Sequence, residues 1–157
     1  MAVSTLTREE ILAYAADVAR GQLGGTLATM HAEDGTPYVT FVLFHFYEGA
    51  RILFGSGTNP QHARNIAATP EVSFLIDNRE AIRGDWTSFD RVVIEGRAEQ
   101  VPENDPRYPG FISELREKNR MAAYFTEHGM LYVIEPRRLV LMRGFQPGRH
   151  VVDFEVE

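Results

Sequence analysis

The stretch Pro37–Tyr47, reading PYVTFVLFHFY, constrains the fold of this chain more than any other. It follows Asp34-Gly35, the dipeptide that most strongly marks a hairpin turn. In an extended strand Val39, Phe41, Leu43 and His45 point one way, and Thr40, Val42, Phe44 and Phe46 the other. Both sets are apolar, so both faces must be covered. A small barrel covers one with its own interior. The other then needs a helix, a second subunit or a ligand.

The flanking segments fit a barrel. Thr7 and Glu10 have capping-box spacing, and Ile11, Leu12, Ala15, Val18 and Ala19 recur at helical spacing up to Gly21. Thr26 to His31, Arg51 to Ser56, Val72 to Ile76 and Phe89 to Val101 read as strands, and Pro60 to Ala68 as a short helix with Asn59 as its cap. The charged segment from Arg79 to Ser88 is irregular and contains Trp86. Gly110 to Glu127 reads as one helix with Phe111, Leu115, Ala122 and Phe125 toward the core. Leu131–Ile134 and Leu139–Met142 read as two last strands separated by Glu135-Pro136. About six short strands with few helices suggest a mainly β chain: one antiparallel barrel domain over residues 1–157.

Composition removes several function classes. A net charge of −6 argues against nucleic acid and against an anionic membrane surface as partners. With no cysteine there is no disulfide, thiol nucleophile, thiolate metal site or iron–sulfur cluster. The N-terminus lacks an apolar signal region, and the longest apolar run, Phe41 to Phe44, is far too short to span a bilayer, so the expected location is the cytoplasm. The five histidines show no metal-binding spacing, and no metal site is supported. Gly55-Ser56-Gly57 is neither a phosphate-binding loop nor a nucleophile elbow.

The junction from Ser56 to Asn65 carries the most chemistry. Helix-start N–H groups are unpaired, and the dipole there is positive. Ser56 and Thr58 add hydroxyls, and Gln61, His62 and Arg64 follow on the first turns, so the segment could cradle a phosphate. By local pattern alone it reads first as an ordinary capped helix with a solvated face. Phe41, Val42 and Leu43 read first as core, with a flat aromatic ligand as the alternative. Arg91 divides evenly between an anion contact and a surface ion pair. His150 reads as a surface residue.

The blocks G-T-L-A-T, D-G-x-P-Y-V-T, I-L-F-G-S-G, H-A-R-N-I-x-x-x-P-x-V-S-F-L, R-V-V-I-E-G-R-A and R-L-V-L-M-R-G-F occur in an order that resembles the pyridoxamine 5′-phosphate oxidase-like split barrels, from about Leu6 to Arg149. Gly-Thr-Leu-Ala-Thr, His62-x-Arg64-Asn65 and Gly144-Phe145 look most like the haem-utilisation branch. The resemblance implies a six-stranded antiparallel split barrel that forms a homodimer, with flavin mononucleotide (FMN) in clefts at the seam. It places Ser56, Thr58, Asn59, Gln61 and His62 at the flavin phosphate, Thr40 where the oxidase has an arginine, Phe41 and Val42 along the ring, and Arg91 where a side chain reaches the flavin. Gln61 and His62 stand where Arg-Lys is common, and this loss of charge implies weak flavin binding. The implied activity is a flavin-dependent oxidoreductase other than pyridoxamine phosphate oxidation, because the substrate arginines are not recognisable. No catalytic acid or base stands out. Two alternatives stay open on cofactor, haem with His150 or His128 as axial ligand and the deazaflavin F420; a third is a cofactor-free dimeric interaction module.

Overall fold

The computed structural model describes residues 5–58 and 60–155. The chain forms a mainly β structure in which seven strands run in the order β3-β2-β1-β4-β5-β6-β7, and β3 also pairs with β6. That last pairing closes six strands into an antiparallel barrel. The strands are β1 (Gly24–Met30), β2 (Pro37–Tyr47), β3 (Arg51–Ser56), β4 (Glu71–Asp77), β5 (Asp90–Val101), β6 (Met130–Arg143) and β7 (His150–Asp153).

Alternation along each strand fills the interior. Leu27, Val42, Phe44, Ile52, Phe54, Phe74, Ile76, Val92, Ile94, Tyr132, Ile134, Leu139 and Leu141 all belong to one buried cluster. Each large side chain of this kind adds about 1.5–3 kcal/mol relative to exposure. Helix α1 (Arg8–Ala19) starts with the expected box: Glu10 N–H donates to Thr7 Oγ1 and Thr7 N–H donates to the Glu10 carboxylate. Its buried Ile11, Ala15, Val18 and Ala19 join the same cluster.

The expected single helix from Gly110 to Glu127 is two, α3 (Tyr108–Lys118) and α4 (Arg120–Glu127). Asn119 makes the break. Its Oδ1 accepts from Ala122 N–H at 3.1 Å, capping α4, and its Nδ2 donates to the carbonyls of Leu23 and Phe44 at 3.0 and 2.9 Å. The two helices cover the outer side of β2, β3, β6 and the end of β5 through Leu53, Val101, Leu131 and Val133, with Leu43 and Tyr47 packed alongside. Phe111, Leu115 and Ala122 are buried as expected, whereas Phe125 is 48% exposed because it falls on the solvent side of α4.

The two expected last strands are one. β6 runs through Pro136 because Pro136 faces Gly96 at a shift of register after Glu95, where a ladder N–H is not required. A Cβ on Gly96 would run into the Glu135 carbonyl. On its other edge β6 pairs first with β3, over Met130 to Ile134, and then with β7, over Arg138 to Leu141. β7 has no counterpart in the sequence reading; it takes up His150 by pairing it with Leu141. No helix among the described residues is long and apolar enough to cross a membrane.

Candidate functional site

Of the nine residues singled out by sequence, Asn59 lies outside the described residues, and the other eight fall into two groups on opposite faces of the sheet. Strand alternation explains the division. Thr40 and Val42 share the inward side with Phe44, while Phe41 shares the outward side with Val39 and Leu43.

The inner group gathers at the β3–α2 junction, where α2 spans Gln61–Ala68. Pro60 occupies the cap position rather than the first turn and makes no side-chain cap bond. Ser56 ends β3 on the interior side, and His62, 8% exposed, turns inward to meet it. His62 Nε2 lies 2.9 Å from Ser56 Oγ, and Ser56 Oγ donates to the Gly57 carbonyl at 3.0 Å. A hydroxyl has one proton, so Oγ accepts from His62. Burial lowers the His62 pKa and keeps the ring neutral. The hydroxyl and the imidazole therefore satisfy each other inside the fold. Thr58 is exposed on the bend that follows.

Gln61 is also engaged. Its Nε2 donates to Asn65 Oδ1 at 2.8 Å and to the Glu33 carboxylate at 3.1 and 3.3 Å, and its Oε1 accepts from Arg64 Nη2 at 2.6 Å. Asn65, fully buried, accepts from Ala32 N–H at 2.9 Å and donates to Thr29 Oγ1 at 2.9 Å, pinning the β1–β2 turn onto α2. That turn carries Glu33, which sequence reasoning missed. Glu33 titrates below its ordinary range, chiefly through a backbone hydrogen bond and then through Gln61.

The outer group lies on the face of β1, β2 and β4 that α3 and α4 leave uncovered. Val39 and Phe41 are 64% and 67% exposed there. The Phe41 ring folds over Gly24, where any Cβ would strike it. Beside it is a cleft of about 380 Å³ lined by Leu23, Gly25, Thr26, Leu75, Asp77 and Arg79 among others. Arg79 grips Asp77 with two hydrogen bonds, 2.8 Å from Nε and 2.6 Å from Nη2, which lowers the Asp77 pKa. Arg91 pairs across from Asp77 in the ladder. Its Nη2 donates to the Gly144 carbonyl at 3.1 Å, its guanidinium sits 5.2 Å from the Phe89 ring, and its Nε is buried without a partner among the described residues. Trp86 meets Phe89 edge-on at 5.2 Å and remains half-exposed.

A third feature is the outer edge of α4. His128 Nδ1 lies 2.8 Å from the Tyr124 carbonyl, which can only accept, so Nδ1 carries the proton. In the neutral ring Nε2 then holds the lone pair. The ring lies 4.3 Å from the Tyr124 ring, tilted by 33°, and Tyr124, Phe125 and Met121 are all exposed. Arg116, Arg120, Ala123, Tyr124 and Glu127 line a groove of about 550 Å³ beside it. His150, the other histidine considered, is half-buried in β7. Of this set only His128 was singled out by sequence. Tyr124, Arg116 and Arg120 acquire interest through the helix break that brings them together.

No curated protein sequence matches the chain. Among solved structures, a haem-binding protein from Mycobacterium smegmatis is similar at 20% identity and TM-score 0.76, over 96% of this chain and 60% of that one. HutZ, the haem storage protein of Vibrio cholerae, is similar at 19% identity and TM-score 0.63, over 88% of this chain and 92% of that one. An FAD-binding protein from Mesorhizobium loti is similar at 20% identity and TM-score 0.62, over 90% and 97%. At such identities the likeness is one of fold. Residues 12–142 match the family model described as pyridoxamine 5′-phosphate oxidase, in agreement with the closed barrel and its flanking helices. The chain belongs to the pyridoxamine 5′-phosphate oxidase-like split-barrel family.

Proposed function

We propose that this protein binds haem on the outer edge of α4, with His128 as axial ligand. The observation that carries the reading is the bond from His128 Nδ1–H to the Tyr124 carbonyl, which leaves Nε2 as the metal-binding nitrogen of an exposed ring. Metal-bound histidines characteristically donate their second nitrogen to a backbone carbonyl or carboxylate. Tyr124 and Phe125 supply flat apolar surface, and Arg120 supplies a cation for a carboxylate group, while Arg116 is held by Glu127 at 2.6 Å. Haem bound there would contribute its redox-active iron; the chain would bind, orient and partly shield it. The similarity to a haem-binding protein and a haem storage protein supports the same reading.

Apo protein titrated with haem is expected to develop a saturable Soret band at one haem per chain. The band should be lost or strongly weakened in His128→Ala and retained in His150→Ala. A spectrum equal to that of free haem, or a His128→Ala titration that matches the parent, would overturn the proposal.

A second reading, flavin held between two copies of the barrel, is favoured by the exposed Phe41 and the cleft beside it. A yellow protein as purified, with flavin absorbance abolished by Phe41→Glu and untouched by His128→Ala, would establish it over the first.

A further inference from the structure

The family resemblance places a flavin phosphate at the β3–α2 junction, and the described side chains there, the exposed Thr58 apart, do not fit one. A phosphate dianion needs free donors or fixed cations. Ser56 and His62 are bonded to each other inside the barrel, and His62 is buried and neutral. Both ends of the Gln61 amide are engaged: Nε2 with Glu33 and Asn65, Oε1 with Arg64. The Arg64 guanidinium, the nearest cation on α2, is thus tied to Gln61 and lies within electrostatic range of Glu33.

Glu33 is held in place. Asp34 Oδ1 accepts from Thr36 N–H at 3.0 Å and from Thr36 Oγ1 at 2.7 Å, closing the turn. His31 N–H donates to the Thr36 carbonyl at 2.7 Å, and Asn65 holds the N–H of Ala32. The carboxylate of Glu33, on this fixed turn and itself 60% exposed, stands beside the first turn of α2 through its bonds to Gln61. It supplies, from within, the negative charge that a helix start favours.

We propose that this junction excludes phosphoryl groups and that Glu33 is the residue that sets the exclusion. A ligand occupying it carries a neutral or cationic tail, so among flavins the dephosphorylated form is preferred over the mononucleotide. The inference is independent of haem binding at α4.

Backbone amide resonances of Gln61 to Asn65 provide the test, with inorganic phosphate as the probe. The parent protein is expected to show no saturable shift at millimolar phosphate. Glu33→Gln alone should show one, and Glu33→Gln combined with Gln61→Arg a stronger one, at least about tenfold tighter than in the parent. Both side chains are near the surface, and a matching circular dichroism spectrum and melting point verify that each variant is folded. A saturable phosphate response in the parent, or a folded variant that gains none, overturns the proposal. Riboflavin and FMN form a second arm: FMN binding about tenfold tighter than riboflavin in the parent overturns it as well. If neither flavin binds, the phosphate titration decides alone.

Discussion

His62 and Ser56 meet 2.9 Å apart at the end of the barrel, and the proton between them belongs to the histidine. Ser56 sends its own proton to the Gly57 carbonyl. The pair closes one end of β3 against the start of α2 and leaves neither group for a ligand. Ser56→Ala strands the buried His62 N–H, which costs about 1–3 kcal/mol. Chemical denaturation should show that loss as a lower midpoint with an unchanged slope.

Stability should fall as pH drops below neutrality. Burial lowers the pKa of His62, and burial likewise lowers that of His45, outweighing the pull of Glu114. An unfolded histidine titrates near ~6.5. The unfolded chain therefore takes up protons before the folded one, and stability is full above that value and declines as pH falls through it toward the folded pKa values. The exposed carboxylates of Asp34 and Asp85 and the half-buried one of Asp105, held below their ordinary range by hydrogen bonds, act only in more acid solution. Melting temperatures between neutral and mildly acid pH test this. His62→Gln should flatten the decline, and an identical decline in that variant would rule His62 out as its source.

Asn119→Ala should cost about 2–4 kcal/mol, since it removes a helix cap and leaves two carbonyls without their buried donor. Because those carbonyls belong to Leu23 and Phe44, hydrogen exchange should rise in β1 and β2 as well as at the α3–α4 break. Exchange confined to the helices would argue against this bridging role.

The family resemblance implies a homodimer, and we propose the outer face of β1, β2 and β4 as its seam. Phe41→Glu puts a charge in the middle of that face, yet Phe41 is already exposed within one chain, so the fold should survive. Sedimentation should report a dimer for the parent and a monomer for the variant, with the same circular dichroism spectrum. A parent protein that sediments as a monomer would sink this expectation.

Local rules carried the sequence reading where neighbours decide the outcome. The capping box at Thr7, the ends of β2 and β3, and the alternation that sets Phe41 and Val42 on opposite faces are as read, whereas Phe41, read first as core, is exposed. The errors arise where distant residues decide. Pro136 passes through β6 because Gly96, forty residues away, takes up the irregularity. Lys118 and Arg120 belong to different helices because Asn119 bonds to the carbonyls of Leu23 and Phe44, 96 and 75 residues upstream. At the candidate sites, Ser56 and His62 were legible as neighbours, but their mutual bond depends on both facing the interior. Glu33 carries no local signal, since its place beside Gln61 follows from Asn65 drawing the turn onto α2.

β6 gives its second edge to β3 and then to β7, and only the first of these contacts closes the ring. Ile52 and Ile134 must find each other across about half of the chain, a search whose entropic cost slows folding. Until they do, β3 presents a bare row of amides and carbonyls to any neighbouring molecule. The vulnerable moment in the life of this protein is therefore its refolding, when crowding or heat should drive association through that open seam before the last rung is laid.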